Sequence, residues 1–258
     1  MQLSNSVAVV TGAASGMGRA IALGYAAEGA RVVGTDINEI ALAEVVSEIE
    51  RAGGTAESVV LDVSDPAACT RAIEGVVERH GRLDVLVNSA GIGLVKPLAE
   101  VTAEDWDRVY AINVRGLFLL SQAAMAAMKR QKSGRIINLA SIAGRRGEAM
   151  VAAYCSSKAA VISITQALSE EGAADGVTVN AMAPGIVDTP FWRESDRRFA
   201  ELLGKQPGQQ FAEVVAKIPL GRAEQPEDVV PLAVFLAGEG SAYITGQTFN
   251  IDGGITLS

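Results

Sequence analysis

Short apolar runs alternate with longer stretches in which apolar residues recur every three to four positions, from residue 7 to about residue 182. A strand buried on both faces reads as a continuous apolar run, whereas a helix packed on one face repeats near 3.6, so the alternation predicts successive strand–helix–strand units. Strands are expected over 7–10, 31–35, 57–61, 85–87, 135–139, 178–182 and 248–251. Helices are expected over 17–28, 39–51, 66–79, a long pair across 103–129, then 152–172 and 226–236. Pro66 stands where proline suits a first helical turn. Residues 190–217 break the rhythm with a polar, helix-capable insertion that contains Trp192, Arg193, Asp196 and Phe199. The pattern therefore predicts a doubly wound α/β fold, a parallel sheet of about seven strands with helices on both faces.

Composition narrows the class of protein. With 258 residues, 49% of them hydrophobic, the chain can bury one large core, and no repeat, linker or compositional shift divides it, so a single domain over 1–258 is expected. The net charge of -8 and the lack of a dense basic run leave nucleic-acid binding without electrostatic support. Met1 leads almost directly into an apolar strand with no room for a signal peptide, and no apolar run reaches the ~18 residues expected of a membrane span. Cys69 and Cys155, separated by patterned sequence, suggest reduced thiols in a cytoplasmic protein. The single histidine, His80, falls at an expected helix end before Gly81, where a capping or dipole role is ordinary, and no metal site is expected.

Chemistry enters first at Thr11-Gly12-Ala13-Ala14-Ser15-Gly16-Met17-Gly18, between the first strand and the first helix. Glycines there let the backbone turn sharply and approach a pyrophosphate, whose charge is stabilised by amides at the helix N-terminus. The alternative is a glycine-rich turn with no ligand. Asp36 closes the second strand, eighteen positions after Gly18, near the spacing at which such folds place an acid on the adenosine ribose. A carboxylate there accepts hydrogen bonds from both ribose hydroxyls and repels a 2′-phosphate, which favours NAD over NADP. It can also serve as a cap for the next helix, a role open equally to Asn38.

Tyr154 and Lys158 lie four residues apart in an apolar helical stretch and so share a helix face. A fixed ammonium beside a phenol favours the phenolate and lowers a pKa that is normally near ~10. Ser141 follows the expected strand 135–139, at a carboxyl strand end where open α/β sheets bind ligands.

These features, taken in order, resemble the short-chain dehydrogenase/reductase family, and the resemblance runs from the first strand to the last. Thr11-Gly12-x-x-x-Gly16-x-Gly18 matches the family's cofactor turn, with Ser15 and Met17 inside it, and Asp62-Val63 matches the pair that contacts adenine. Asn88-Ser89-Ala90-Gly91 matches its Asn-Asn-Ala-Gly, with Ser89 in place of the second Asn. Asn113, Ser141, Tyr154 and Lys158 fall where the family keeps its catalytic tetrad, and Pro184, Gly185, Val187 and Thr189 fall where it contacts the nicotinamide end. The resemblance implies a Rossmann fold and a nicotinamide-dependent oxidoreductase acting on CH–OH groups. Tyr154 would exchange the alcohol proton, Lys158 would lower its pKa and bind the nicotinamide ribose, and Asn113 would anchor a water leading from Lys158 to solvent. It also implies a homotetramer packed through residues 103–129 and 152–172, with 255–258 at a second interface.

The segment from about 188 to 217 stands where that family carries its variable substrate lid. Asp188, Trp192 and Arg193 in it, with Arg145 and Glu148 near Ser141, suit a small hydroxylated or ketone substrate better than a steroid or long acyl chain; Trp192 can equally pack the lid. Residues 184–199 and the ending Gln247 to Gly254 resemble the bacterial NAD-dependent polyol dehydrogenases of the sorbitol and galactitol type. The expected reaction is NAD-dependent oxidation of a secondary alcohol in a small polyol or vicinal diol. A 3-oxoacyl-thioester (acyl carrier protein) reductase shares the scaffold but usually favours NADPH, against which Asp36 counts. A non-catalytic NAD(H)-sensing scaffold usually lacks one of the four tetrad positions, all of which are present.

Overall fold

The computed structural model describes residues 1–257; Ser258, at the expected second interface, lies outside them. Its strands are β1 (Val7–Thr11), β2 (Arg31–Asp36), β3 (Thr55–Val60), β4 (Val85–Asn88), β5 (Gly134–Leu139), β6 (Val177–Pro184) and β7 (Thr248–Ile251). All pair in parallel in the order β3-β2-β1-β4-β5-β6-β7. Strand order reverses at β1, where Val9 pairs with Val33 on one side and Leu86 on the other. Connections leaving to opposite faces at such a point open a crevice at the carboxyl ends of the strands.

The helices are α1 (Gly16–Ala27), α2 (Glu39–Arg51), α3 (Pro66–His80), α4 (Ala103–Tyr110), α5 (Leu117–Gln131), α6 (Ala152–Ala173), α7 (Pro190–Leu203), α8 (Gln209–Val215) and α9 (Val230–Ala237). Because strand side chains alternate, Ala8 and Val10 pack with α1, α2 and α9, whereas Val7 and Val9 pack with α3 and α5. Every residue of β1, β4, β5 and β6 is buried, and in β1 and β4 this shows in the sequence as an unbroken apolar run.

Several elements depart from their expected form for identifiable reasons. The edge strand β3 starts at Thr55, two residues early, because its mixed exposure leaves no apolar boundary to read. The expected pair across 103–129 is one continuous run, in which α4 and α5 are joined by a π-helical turn, Ala111–Gly116. By length and composition this run can cross a membrane, contrary to the reading of the sequence, but half of its most apolar window is buried inside the fold. The helix expected over 226–236 begins as a 3₁₀ turn, Pro226–Val229, since Pro231 has no amide to return to Glu227. Residues 190–217 fold as α7 and α8. Asp196 of α7 is buried and accepts from Gly208 N at 2.6 Å and Phe211 N at 2.7 Å, so it supplies the N-terminal cap of α8 that Gly208 lacks. His80 ends α3 with Nε2 3.1 Å from Glu57 Oε1, and Gly81 closes the helix at φ 72°.

Candidate active site

The crevice at the strand-order reversal is a cavity of about 420 Å³. Its floor is the turn between β1 and α1. Gly12 and Gly16 hold φ values of 66° and 53°, a region that favours glycine. A Cβ on Gly18 would stand 2.2 Å from Gly12 O, and one on Gly12 would stand 3.0 Å from the backbone of Ala90. Thr11 fastens the turn to the end of β4: its Oγ1 accepts from Ser89 N and Ala90 N, both at 3.0 Å. Whereas α2, α3, α4 and α7 each carry a side-chain cap, Ser15 makes no capping bond to α1 and no acid lies in its first turn. The opening amides of α1 thus face the cavity with no side chain competing for them, which fits a nucleotide pyrophosphate.

At one end of the cavity, Asp36 accepts from Ala14 N at 3.1 Å through Oδ2 and from Asn38 N at 2.9 Å through Oδ1. The N-cap of α2 is Asn38, whose Oδ1 accepts from Ala41 N at 3.1 Å, so Asp36 remains on the cavity wall with Ile37, Asp62 and Val63. Hydrogen bonds from the Ser64 side chain and backbone hold the Asp62 carboxyl below its usual range.

At the other end stand Ser141, Tyr154 and Lys158. Ser141 Oγ is fixed by Ala143 N at 3.1 Å. Burial pushes the Tyr154 phenol up to about 12, and the Ser141 hydroxyl draws it partly back down. Lys158 is 6% exposed; its Nζ donates to Leu139 O at 2.7 Å and lies 5.8 Å from the centre of the Tyr154 ring. Burial pushes the ammonium down to about 8. The expectation that Lys158 lowers the tyrosine pKa is therefore not met: at this separation the loss of solvent dominates both groups.

Most expected positions meet on this one cavity: Gly12, Ser15, Gly16, Met17 and Gly18 at the floor, Ala90 and Gly91 beside Thr11, and Pro184, Gly185, Val187 and Thr189 on the wall after β6. Four do not line it. Asn88 turns into the sheet, where its Nδ2 donates to Ser121 Oγ and Asn138 Oδ1, both at 2.9 Å. Asn113, in the π-turn, exchanges hydrogen bonds with the Ile92 main chain at 2.8 and 2.9 Å and donates to Ser157 Oγ at 3.1 Å, so its side chain is a clamp behind Gly91. Arg145 reaches away to Thr248 O at 2.8 Å and Asn250 Oδ1 at 3.2 Å. Asp188 pairs with Arg193 at the surface.

Glu148 and Trp192 do line the cavity, and Trp192 also packs on Phe211 with ring centres 5.9 Å apart. Reading the sequence did not find Thr11 as a tether, nor Phe191, whose ring lies 5.5 Å from that of Tyr154 and against Gly93. Thr11 had one legible signal, a hydroxyl at the end of a fully apolar strand; Phe191 had none. The cavity wall also carries apolar Leu94, Val95, Ile142, Val151 and Phe191, the last with its ring against Tyr154.

A parallel sheet with a glycine cradle at its crossover, and across the same cavity a half-buried Tyr154 between buried Ser141 and Lys158, define a nicotinamide-nucleotide oxidoreductase scaffold. The chain belongs to the short-chain dehydrogenase/reductase family: the family profile described as enoyl-(acyl carrier protein) reductase matches residues 12–256. Galactitol 2-dehydrogenase of Agrobacterium fabrum is 43% identical over 100% of both chains. L-2,3-butanediol dehydrogenase of Corynebacterium glutamicum is 44% identical over 97% of this chain and 98% of its own. A 3-oxoacyl-[acyl-carrier-protein] reductase of Thermotoga maritima is 38% identical over 100% of both. Among solved structures, a proposed NAD(P)-dependent gluconate 5-dehydrogenase from Beutenbergia cavernae, with NADP bound at low occupancy, has a TM-score of 0.90 at 42% identity and covers 98% of each chain. A variant actinorhodin polyketide ketoreductase with NADPH has a TM-score of 0.93 at 36% identity and covers 97% of each.

Proposed function

We propose that this chain is an NAD-dependent dehydrogenase that reversibly oxidises a secondary alcohol of a small polyol or vicinal diol to the ketone. The observation that carries the reading is one continuous cavity with the Asp36-tipped glycine cradle at one end and Ser141, Tyr154 and Lys158 at the other. Gly12, Gly16 and Gly18 would hold the pyrophosphate, Asp36 the adenosine ribose, and Pro184 to Thr189 the nicotinamide end; when bound, the cofactor accepts the hydride.

Ser141 presents its hydroxyl to the substrate oxygen. Tyr154 takes the alcohol proton in oxidation and returns it in reduction. At about 12 the phenol keeps its proton at neutral pH, which suits it to donate to a carbonyl. Burial disfavours the charged form of both groups, so oxidation, which needs the phenolate, is expected to speed up as pH rises. The apolar walls favour a diol with alkyl arms over a fully hydroxylated chain.

Asp36 supports NAD because a 2′-phosphate would meet its charge, although both structural neighbours carry the phosphorylated cofactor. Turnover of galactitol, sorbitol and 2,3-butanediol with NAD and with NADP tests the reading. NADH formation with at least one of them, and a tenfold or greater preference for NAD (~1.4 kcal/mol), is expected. A preference for NADP would overturn the cofactor assignment, and no turnover of any diol would overturn the substrate class.

The same apolar walls and the Thermotoga maritima relative favour one second reading, a 3-oxoacyl-thioester reductase, which reduction of an acetoacetyl thioester would reveal. Reduced, buried Cys69 and Cys155 support a cytoplasmic setting. The half-exposed Trp106 and Phe118 along the α4–α5 run support tetramer packing, which light scattering checks.

A further inference from the structure

One buried carboxylate lies outside the proton-transfer group yet is bonded directly to the wall of its cavity. Glu224, in the loop before the 3₁₀ turn, is only 7% exposed. Its main chain bridges to Val187: Glu224 N donates to Ile186 O at 2.9 Å, and Asp188 N donates to Glu224 O at 2.8 Å. Its side chain folds back on the same segment, where Oε2 accepts from Gly185 N at 2.9 Å, an amide that also donates to Ile251 O at 2.9 Å. One residue thus places three hydrogen bonds on residues 185–188, of which Gly185, Ile186 and Val187 line the cavity.

The second oxygen, Oε1, is buried and has no hydrogen-bond partner among the described residues. A buried carboxylate oxygen without a donor is costly when charged and far less so when it carries a proton. The charged groups around it do not offset that cost. Asp252, just after β7, is held by Gly254 N at 2.9 Å and Thr256 N at 3.0 Å. Asp228 is paired with Arg222, the cation that acts on Glu224, and Asp188 is paired with Arg193 at the surface. Burial first, then Asp228 and Asp252, raise the Glu224 carboxyl to about 7 against the opposing pull of the Gly185 amide and Arg222.

We propose that Glu224 is a positioning residue: as a neutral carboxylic acid it clamps residues 185–188 beside β7 and thereby sets affinity for the nicotinamide end of the cofactor, and the clamp loosens when its proton passes to solvent. The inference rests on the reading that this end of the cofactor lies at Pro184 to Thr189. Ionisation puts a charge beside Asp252 and Asp228, and admitting water to Oε1 relieves it by parting the 224 loop from the segment it holds. A side-chain amide keeps the acceptor for Gly185 N and cannot ionise.

The test measures NADH and NADPH binding by fluorescence, together with hydrogen exchange at the Gly185 and Asp188 amides without cofactor, for the wild type and Glu224→Gln. Between about pH 6 and about pH 8.5 the wild type is expected to lose affinity ~10-fold while Glu224→Gln changes less than ~2-fold. Protection of the two amides, corrected for intrinsic exchange, is expected to fall with pH in the wild type alone. Matching pH profiles for the two proteins in exchange would overturn the clamp. Failure of both proteins to bind either nucleotide at any pH would overturn the cofactor reading instead, and the exchange data would still decide the clamp. Exchange that differs while binding does not would overturn the link between the clamp and affinity.

Discussion

Gly18 offers a direct perturbation of the cradle. Its missing Cβ would stand 2.2 Å from Gly12 O, 2.7 Å from Gly12 C and 3.1 Å from Thr11 O, all main-chain atoms that cannot rotate aside. Carbon–oxygen contacts are relaxed near ~3.4 Å, so Gly18→Ala must open the turn by about 1 Å. Overpacking against rigid neighbours costs about 1–3 kcal/mol. If the strain falls on the bound state, that is a ~5–150-fold loss of dinucleotide affinity. Gly147→Ala is the control, because a Cβ there meets none of the described residues within 4 Å. Fluorescence titration with NADH and NADPH, read beside thermal unfolding, should show weaker binding of both nucleotides by Gly18→Ala and none of this in the control. Unchanged affinity in a folded Gly18→Ala protein would refute the assignment of this turn to the pyrophosphate.

Other outcomes follow from single contacts. Tyr25 is fully buried and donates to Ala233 O at 2.9 Å, tying α1 to α9, so Tyr25→Phe should cost about 1–2 kcal/mol in urea unfolding; an unchanged midpoint would show that the bond contributes nothing. Phe191→Ala removes the ring packed on Tyr154 and Gly93 and should raise KM for the alcohol while leaving NADH binding intact; a change in NADH binding alone would place Phe191 at the cofactor. From about pH 4.5 to about pH 7 the folded chain keeps the Glu224 proton that the unfolded chain has released, so this group's contribution to stability is lost as pH rises through that window. The loss is at most about 3 kcal/mol, read as the widening stability difference between the wild type and Glu224→Gln; a difference that stays flat across the window would contradict it.

What the sequence disclosed depended on whether a feature is written in local pattern. Strands β1 and β4 were legible because burial on both faces leaves an unbroken apolar run, and the cofactor turn was legible because only glycine fits where Gly12 and Gly18 meet. The π-turn at Asn113 was not, since a wider hydrogen-bond ladder leaves no mark in composition. Asn88 was misplaced because an asparagine at a strand end looks the same whether it faces a ligand or, as here, Ser121 and Asn138. Arg145 and Asp188 were drawn to the cavity by their charge, whereas their partners at Thr248, Asn250 and Arg193 depend on how the loops come together. The Tyr154–Lys158 pair was found by its spacing, but burial, which spacing does not record, raises the tyrosine pKa that the neighbouring ammonium was expected to lower.

The central claim is that Tyr154 transfers the substrate proton within a cavity that also holds the cofactor. Tyr154→Phe deletes only the hydroxyl, and steady-state oxidation of the best alcohol from the panel, paired with NADH titration of the same protein, measures the claim directly. Turnover is expected to fall at least ~100-fold with NADH affinity unchanged within about twofold. Near-normal turnover by Tyr154→Phe would contradict it.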